Sequence, residues 1–238
     1  MSGLGWTGRV EPGGPSAVRV LDEAEIRKAS VGPMDNDAYL VTCRRTGAQL
    51  LVDAPTDPDR LLSLVREGSA SARLDVVVVT HQHRDHLGAV ASVLAVTGAR
   101  LAAGAPDAEA VEKATGHAVD TRLLHRDRLA VGRLVLDVVA LRGHTPGSVA
   151  LALTEPDDVS VPGAAPGRVH LFTGDSLFPG GVGSTQGDPH RFTQLLDDVT
   201  TRVFDRYRDD TWVYPGHGDD TTLGEQRPHL AEWAARGW

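Results

Sequence analysis

Short apolar runs recur along the chain and are separated by polar and glycine-containing segments. Most of these runs show no strict alternation of apolar and polar residues, which is typical of strands covered on both faces. We therefore interpret them as buried strands. The predicted strands cover residues 38–44, 49–53, 75–80, 133–140, 148–153, 169–174 and 211–216.

Helical patterns lie between some of these strands. One covers residues 87–97 and another 107–115, and each is followed by a glycine. A third begins with Asp188 as the N-cap and Pro189 in the first turn. Its apolar side chains share one face and are Phe192, Leu195, Leu196, Val199 and Val203. Because strands and helices are interleaved, the pattern predicts an α/β protein.

Two further segments and the length complete the predicted organisation. The Pro/Gly-rich stretch 155–168 is predicted to be a surface loop between two strands, and residues 221–238 to form one closing helix. A chain of 238 residues fits one large domain better than two small ones. We therefore predict a single domain over residues 1–238.

Charge and cysteine content exclude several classes of partner. The formal net charge is −8 and no run of Lys or Arg occurs, so we expect neither a nucleic-acid nor a membrane partner. The sequence also lacks an apolar stretch of about 20 residues and a secretory signal. Cys43 is the only cysteine, which fits a reducing compartment. We expect a cytoplasmic protein.

The segment "THQHRDHLGA", residues 80–89, places three histidines and an aspartate directly after an apolar strand. In an extended chain, side chains two residues apart face the same way, so His81 and His83 can reach one metal ion. Asp85 and His86 follow where the chain turns towards a helix, and can therefore point to a second, adjacent position. The segment predicts a metal site.

Three other polar residues lie in glycine-containing turns at the ends of predicted strands. They are His144 in "LRGHTPGS", Asp175 in "LFTGDSLF" and His217 in "VYPGHGDD". Open α/β sheets place their ligand sites at the carboxyl ends of their strands. We therefore expect these three side chains to join the first four.

The order H-x-H-x-D-H followed by His, Asp and His resembles the metallo-β-lactamase superfamily over residues 30–230. The resemblance implies an αββα four-layer sandwich. It also implies that Asp175 and a water-derived hydroxide bridge two divalent metal ions. The implied ligands are His81, His83 and His144 for the first ion, and Asp85, His86 and His217 for the second.

The chemistry of such a site follows from its ligands. Imidazole and carboxylate ligands without thiolate suit Zn²⁺, which we expect, and also Fe and Mn. The hydroxide is then the nucleophile, and Asp85 is the candidate to orient it and accept its proton. Two divalent cations would also attract a small anionic substrate despite the negative net charge.

Within the superfamily, "FTGDSLFPGGVGSTQGD", "HTPGS" and "YPGHG" are similar to the glyoxalase II branch of thioester hydrolases. Ser184 follows Gly183 where that branch usually carries an arginine. The segment after His217 is too short for the helical domain that contacts glutathione in those enzymes, so glutathione itself is not expected. The glycine-rich loop 179–187 is interpreted as a substrate loop, because it lacks the ending of a phosphate-binding loop.

The sequence therefore predicts a dinuclear metal-dependent hydrolase of a small thioester or ester-like acyl substrate. A persulfide dioxygenase is the alternative, with one iron held by residues matching His81, His144 and Asp175. A lactonase is a third option, although Tyr39, Tyr207 and Tyr214 give no clear match to the tyrosine it needs.

Some polar residues lie outside the predicted site. Asp53 is either a partner of a metal-bound imidazole or a turn cap. The remaining histidines are interpreted as surface or packing residues, and are His117, His125, His170, His190 and His229.

Overall fold

The computed structural model describes residues 6–237, and its first sheet contains, over this range, seven strands. They are β1 (Ala17–Val20), β2 (Ala24–Val31), β3 (Asn36–Cys43), β4 (Gln49–Val52), β5 (Leu74–Val79), β6 (Arg100–Gly104) and β7 (Thr121–Leu123). The strands lie side by side in chain order. β1 to β4 pair antiparallel, whereas β4 to β7 pair parallel.

A second sheet is built from the later part of the chain. Its strands are β8 (Arg128–Val131), β9 (Leu134–Ala140), β10 (Val149–Thr154) and β11 (Val169–Gly174), with two more that follow a separate hairpin. The hairpin consists of β12 (Leu177–Phe178) and β13 (Gly181–Val182), and the two further strands are β14 (Trp212–Pro215) and β15 (Thr221–Thr222). The order is β15-β14-β11-β10-β9-β8, and among the described residues of this second sheet only β11 and β14 are parallel neighbours.

Helices cover the outer face of each sheet. They are α1 (Pro58–Gly68), α2 (Val90–Thr97), α3 (Ala108–Thr115), α4 (Pro189–Val199), α5 (Leu223–Gln226) and α6 (Leu230–Arg236). Buried side chains of α1, α2 and α3 pack on the first sheet, and those of α4 and α6 on the second. Aliphatic residues such as Leu50, Val78, Leu136 and Leu151 fill the space between the sheets. The predicted αββα sandwich is confirmed.

The start of α4 shows how local sequence fixes an element. The Asp188 side chain accepts hydrogen bonds from the backbone N–H groups of His190 and Arg191, and Pro189 occupies the first turn. Phe192 and Leu195 are buried as the helical period requires. After Val199 the chain continues through a π-type turn, Thr200–Phe204. The expected N-terminus and apolar face of this helix are confirmed.

Other elements differ from the expectation. The apolar runs gave no indication of β1, β2 or α1, because charged residues interrupt them. β2 even carries a fully buried Lys28. The expectation of one closing helix is wrong: α5 and α6 are separated by a 3₁₀ turn at Arg227–His229, where Pro228 lacks the N–H that a continuous helix uses. The segment 155–168 does form a loop between β10 and β11.

No helix in the described part of the chain is long and apolar enough to cross a membrane.

Candidate metal centre

The carboxyl ends of strands from both sheets meet in one place. His81 follows β5, and His86 lies in the short 3₁₀ turn Arg84–His86 just beyond. From the second sheet, His144, Asp175 and His217 follow β9, β11 and β14. The structure brings together all seven side chains that the sequence singled out.

His81, His83 and His144 form the first group. Their ligand atoms lie within 4.8 Å of one another. The ring centroids of His81 and His83 are 4.8 Å apart, and that of His144 lies 4.7 Å from His81 and 4.6 Å from His83. Three imidazoles at these distances can share one cation.

Asp85, His86 and His217 form the second group, again with ligand atoms within 4.8 Å. His86 Nε2 and His217 Nε2 are 3.2 Å apart. Asp85 Oδ2 lies 3.4 Å from His217 Nε2 and 3.5 Å from His86 Nε2. This set offers two nitrogens and one carboxylate oxygen to a second cation.

Asp175 lies between the two groups. Its Oδ2 is 3.6 Å from His144 Nε2 of the first group and 3.5 Å from His217 Nε2 of the second. Its Oδ1 is 3.4 Å from His86 Nε2. The carboxylate therefore occupies the position that a bridging ligand needs.

Buried polar atoms without a partner show that the site suits a cation. Among the described residues, His81 Nε2, His144 Nε2 and Asp175 Oδ1 are buried without a hydrogen bond. Buried polar atoms are normally paired, so three unpaired acceptors that converge indicate a missing electrophile. Imidazole nitrogen and carboxylate oxygen are ligands of Zn²⁺ and of Fe or Mn. The residues present therefore fit a divalent metal.

The ionisation of the site's side chains also suits a bound cation. Burial disfavours a charged His86, yet the carboxylates of Asp53 and Asp175 raise its pKa to about 10. The pKa of His217 is also raised, because Asp175 outweighs burial. Burial would raise the pKa of Asp175, but His217 and His86 hold it well below its usual range. Burial lowers the pKa of His81 well below 6.5, which leaves a neutral imidazole. The carboxylates thus require positive charge, which a metal ion supplies.

Hydrogen bonds on the far side of each ring fix which nitrogen faces the centre. His144 Nδ1 donates to Ser184 O at 2.7 Å, and His217 Nδ1 to Met34 O at 2.9 Å. These bonds leave Nε2 of both rings facing the other ligands. Neither carbonyl could be recognised from the sequence, because both belong to loops remote along the chain.

The structure decides between the two interpretations of Asp53. Its Oδ2 lies 2.9 Å from His86 Nδ1. The same carboxylate accepts hydrogen bonds from the backbone N–H and the hydroxyl of Thr80, and the Thr80 hydroxyl lies 3.0 Å from His81 Nδ1. Asp53 therefore orients a ligand from each group.

Two glycines are required by close approach to these ligands. A Cβ on Gly183 would lie 1.7 Å from the Asp175 backbone oxygen, and one on Gly216 would lie 2.1 Å from Asp175 Oδ1. A side chain at either position would displace Asp175. The glycine-rich loop therefore also shapes the centre.

A carboxylate that the sequence did not indicate ties the loops of the first group. Asp107, fully buried after β6, accepts hydrogen bonds from Gln82 N at 3.0 Å and the Thr145 hydroxyl at 2.6 Å through Oδ2. Its Oδ1 accepts from Gly147 N at 2.7 Å. We call this arrangement the Asp107 clasp, because it joins the His81–His83 loop of one sheet to the His144 loop of the other.

A buried ionic cluster ties the loop of the second group. Lys28 Nζ lies 3.0 Å from Asp37 Oδ2 and 2.8 Å from Asp220 Oδ1, and it also donates to Gly218 O, one residue beyond His217. All three charged side chains are fully buried. We call Lys28, Asp37 and Asp220 the Lys28 cluster. Burial raises the pKa of Asp37 to about 8, against the opposing charge of Lys28.

Asn36 is a further residue that the sequence did not indicate. It forms an isolated β-bridge with His217, and its side-chain Nδ2 donates to Asp85 Oδ2 at 3.0 Å. It thereby contacts two members of the second group. Nothing in the local pattern distinguishes it from any other residue at the start of a strand.

The histidines outside the predicted site lie away from it. His170 is fully buried between Tyr214 and Glu155, with which it hydrogen-bonds at 2.8 and 2.9 Å. His190 and His229 are exposed, and His117 and His125 are half-buried.

Comparisons with known proteins agree with this geometry. A sequence profile described as "Metallo-beta-lactamase superfamily" matches residues 31–217. The chain is 35% identical over 149 residues to the hydroxyacylglutathione hydrolase of Fuscovulum blasticum, covering 63% of this chain and 51% of that protein. It is 33% identical over 188 residues to that of Polaromonas sp., covering 76% and 62%. The matched part thus spans about half to two thirds of these relatives' length.

Solved structures show the same fold. ETHE1 from Myxococcus xanthus superposes with a TM-score of 0.71 at 28% identity, covering 88% of this chain and 84% of that one. The di-iron-bound form of TTHA1623 superposes with a TM-score of 0.61 at 30% identity, covering 83% and 95%.

Proposed function

Because the chain belongs to the metallo-beta-lactamase superfamily, we propose that it is a dinuclear metal-dependent hydrolase of small thioesters. The observation that carries the proposal is the pair of complete ligand groups joined by Asp175. The relatives named hydroxyacylglutathione hydrolases support a thioester as the substrate class.

In this proposal His81, His83 and His144 would hold one divalent ion, Asp85, His86 and His217 would hold another, and Asp175 would be a ligand available to either. When bound, such ions act as Lewis acids and make a shared water acidic enough to ionise near neutral pH. Zn²⁺ is the metal we propose, with Fe or Mn as alternatives. The di-iron-bound form of TTHA1623 supports the iron alternative.

Asp85 is the proposed proton acceptor. Its Oδ2 accepts the hydrogen bond from Asn36, which fixes the plane of the carboxylate. The side chain is 28% exposed, so it is accessible from the mouth of the site. Geometry close to the ligands and access to solvent are what a general base needs. Asp85 would orient the attacking water and take up its proton.

One observation favours a second candidate, the mononuclear iron persulfide dioxygenase. The three buried ligand atoms without a partner belong to His81, His144 and Asp175, which is the set expected to hold its single iron. The complete second group favours two ions instead. A lactonase has less support, because the Tyr39 hydroxyl donates to Pro215 O at 2.6 Å and Tyr214 lies in the core between the sheets.

Metal content and substrate turnover test the proposal together. We expect two metal ions per chain by elemental analysis, and hydrolysis within a panel of hydroxyacylglutathione, other short acyl thioesters and lactones. One iron per chain, with oxygen consumed in the presence of glutathione persulfide, would establish the dioxygenase instead.

Variants locate the activity. Asp85→Ala and His217→Ala should each lose one metal ion and most of the turnover, while circular dichroism shows a folded protein. His229→Ala, at an exposed histidine whose side chain hydrogen-bonds only to Glu232 among the described residues, is the matched control and should keep both ions. Turnover that survives Asp85→Ala and His217→Ala contradicts the two-metal mechanism.

A further inference from the structure

A second cavity, of about 560 Å³, lies beside β9 and the segment that follows α4. No member of the candidate metal centre lines it. Its polar lining comes from the loop between β7 and β8, from β9 and from the turn after α4. These residues are His125, Arg126, Asp137, Arg202, Arg206 and Tyr207.

Two positively charged side chains of the cavity have no partner among the described residues. Arg126 and Arg206 form neither an ion pair nor a side-chain hydrogen bond with any described residue. In a chain with a net charge of −8, most arginines are paired with carboxylates. Three other arginines of the described chain also lack both an ion pair and a side-chain hydrogen bond, but they do not line this cavity. They are Arg84, Arg100 and Arg133.

The other charged residues of the cavity have partners of opposite charge. Arg202 shares the buried carboxylate of Asp198 with Arg142, and its NH1 also donates to Ala140 O at 2.8 Å. Asp137 lies 3.4 Å from Arg128 on the exposed rim. Arg126 and Arg206, which are both exposed to solvent, therefore leave a cationic excess along the cavity.

The backbone at Arg126 has a conformation that is unfavourable for a residue other than glycine. Arg126 has a φ of 74°, in the left-handed region that residues other than glycine seldom adopt. Its N–H donates to Val138 O at 2.8 Å, which holds this conformation. Strained backbone is concentrated at functional sites. The π-type turn Thr200–Phe204, another feature found frequently at such sites, lies on the opposite wall and contains Arg202.

His125 adds an oriented neutral donor. Burial lowers its pKa, and the charges of Arg202 and Arg126 lower it further, so the ring is neutral at pH 7. Its Nδ1 accepts a hydrogen bond from Ala140 N at 3.4 Å, which leaves the proton on Nε2. With the hydroxyl of Tyr207, the cavity offers neutral donors beside two free guanidinium groups.

We propose that this cavity binds a phosphate group, as the free ion or as the monoester of a small molecule. A guanidinium presents its N–H groups as a fork that matches two phosphate oxygens, and two forks with further donors suit a tetrahedral dianion. The volume falls in the range of small-molecule sites, so it can also hold the rest of a nucleotide-sized ester.

Calorimetric titration of the metal-loaded protein tests the proposal, with inorganic phosphate and adenosine monophosphate as the probes. The double variant Arg126→Gln/Arg206→Gln should weaken binding by roughly 10-fold or more, because each charged hydrogen bond contributes on that scale. Arg100→Gln/Arg133→Gln removes the same charge elsewhere and should leave binding unchanged. The Nε–H resonances of Arg126 and Arg206 should shift with either probe in ¹⁵N NMR spectra.

Tighter binding of the nucleotide than of phosphate identifies an ester as the occupant, and equal affinity identifies the free ion. The proposal is overturned if neither probe binds at millimolar concentration, or if both double variants bind alike. It is also overturned if all binding disappears in His81→Ala, because phosphate would then occupy only the metal centre.

Discussion

Two buried tethers flank the candidate metal centre, and they differ in kind. The Asp107 clasp uses one carboxylate to accept hydrogen bonds from two backbone N–H groups and a hydroxyl. The Lys28 cluster packs an ammonium group and two carboxyl groups into the interior, and it connects β2 and β3 to the His217 loop. The Lys28 cluster holds its ligand-bearing loop against strands of the other sheet, whereas the Asp107 clasp joins two ligand-bearing loops from a 3₁₀ turn after β6.

The two tethers both position a ligand-bearing loop, but they differ in how much stability is lost when one partner is removed. A carboxylate surrounded by N–H and O–H donors keeps part of its solvation when one donor is lost. A buried ion pair has large desolvation costs that only its partner offsets. We therefore expect the second group to depend on its tether more strongly than the first.

Lys28→Met should give the largest effect. It leaves Asp220 buried without its cation, which should lower the free energy of unfolding by about 3–5 kcal/mol. The His217 loop should also loosen, so the second metal ion should be lost before the first. Urea unfolding and metal titration of the variant measure the two effects.

A double variant separates charge from packing. Lys28→Met/Asp220→Asn removes both charges and keeps an oxygen for the indole N–H groups of Trp6 and Trp212, which Asp220 Oδ2 accepts at 2.9 and 3.0 Å. It should recover at least half of the lost stability. If the double variant is no more stable than Lys28→Met, the cluster acts by packing alone and the comparison fails.

Asp107→Asn should give an intermediate effect. In the variant, the side-chain N–H₂ group faces a group that donates a hydrogen bond to the carboxylate in the unmodified protein. The loss of this hydrogen bond should lower the free energy of unfolding by about 1–3 kcal/mol. Affinity for the first metal ion should fall by roughly 10- to 100-fold, as for other residues that orient ligands. Competition with a chromogenic chelator measures this affinity.

Asp120→Asn is the matched control for that variant. Asp120 accepts one backbone N–H, from Leu101 at 2.7 Å, and does not contact a candidate ligand. Its metal affinities should equal those of the unmodified protein. Equal losses in Asp107→Asn and Asp120→Asn would show that the clasp does not position the first group.

The smallest effect is a pH dependence from a buried group outside both tethers. Burial lowers the pKa of His170 to about 4, although Glu155 opposes the shift. The unfolded chain therefore takes up the proton first, near pH 6.5, and the stabilisation present above that pH is lost as the pH falls towards 4. Between pH 7 and 5.5 the loss should be about 1 kcal/mol.

The difference in unfolding free energy between the metal-free protein and its His170→Gln variant isolates this contribution. The difference should shrink on acidification over that range. His190→Gln, at an exposed site, should show a constant difference. A constant difference for His170→Gln as well would mean that the pKa of His170 is the same in the folded and the unfolded chain.

The sequence by itself determined the α/β class and the identity of the clustered residues, whereas the layer order was implied only by the resemblance to a known superfamily. Apolar runs of strand length and a capped helix such as 188–199 are local features, so they can be recognised along the chain. The spacing of His81, His83, Asp85 and His86 is also local, and the turns that carry His144, Asp175 and His217 repeat one layout.

Only the tertiary structure decided how those residues are held. Asp53 and Asp107 act on partners at least 25 residues away along the chain, and Lys28 reaches Gly218 and Asp220 across 190 residues or more, although Asp37 is close in sequence. No spacing rule connects these residues, because the contacts form only when β4 pairs with β5, as for Asp53, or when the two sheets pack together. Burial of Lys28 in particular contradicts its local preference for solvent, and becomes possible only when Asp37 arrives from β3 and Asp220 from the loop before β15.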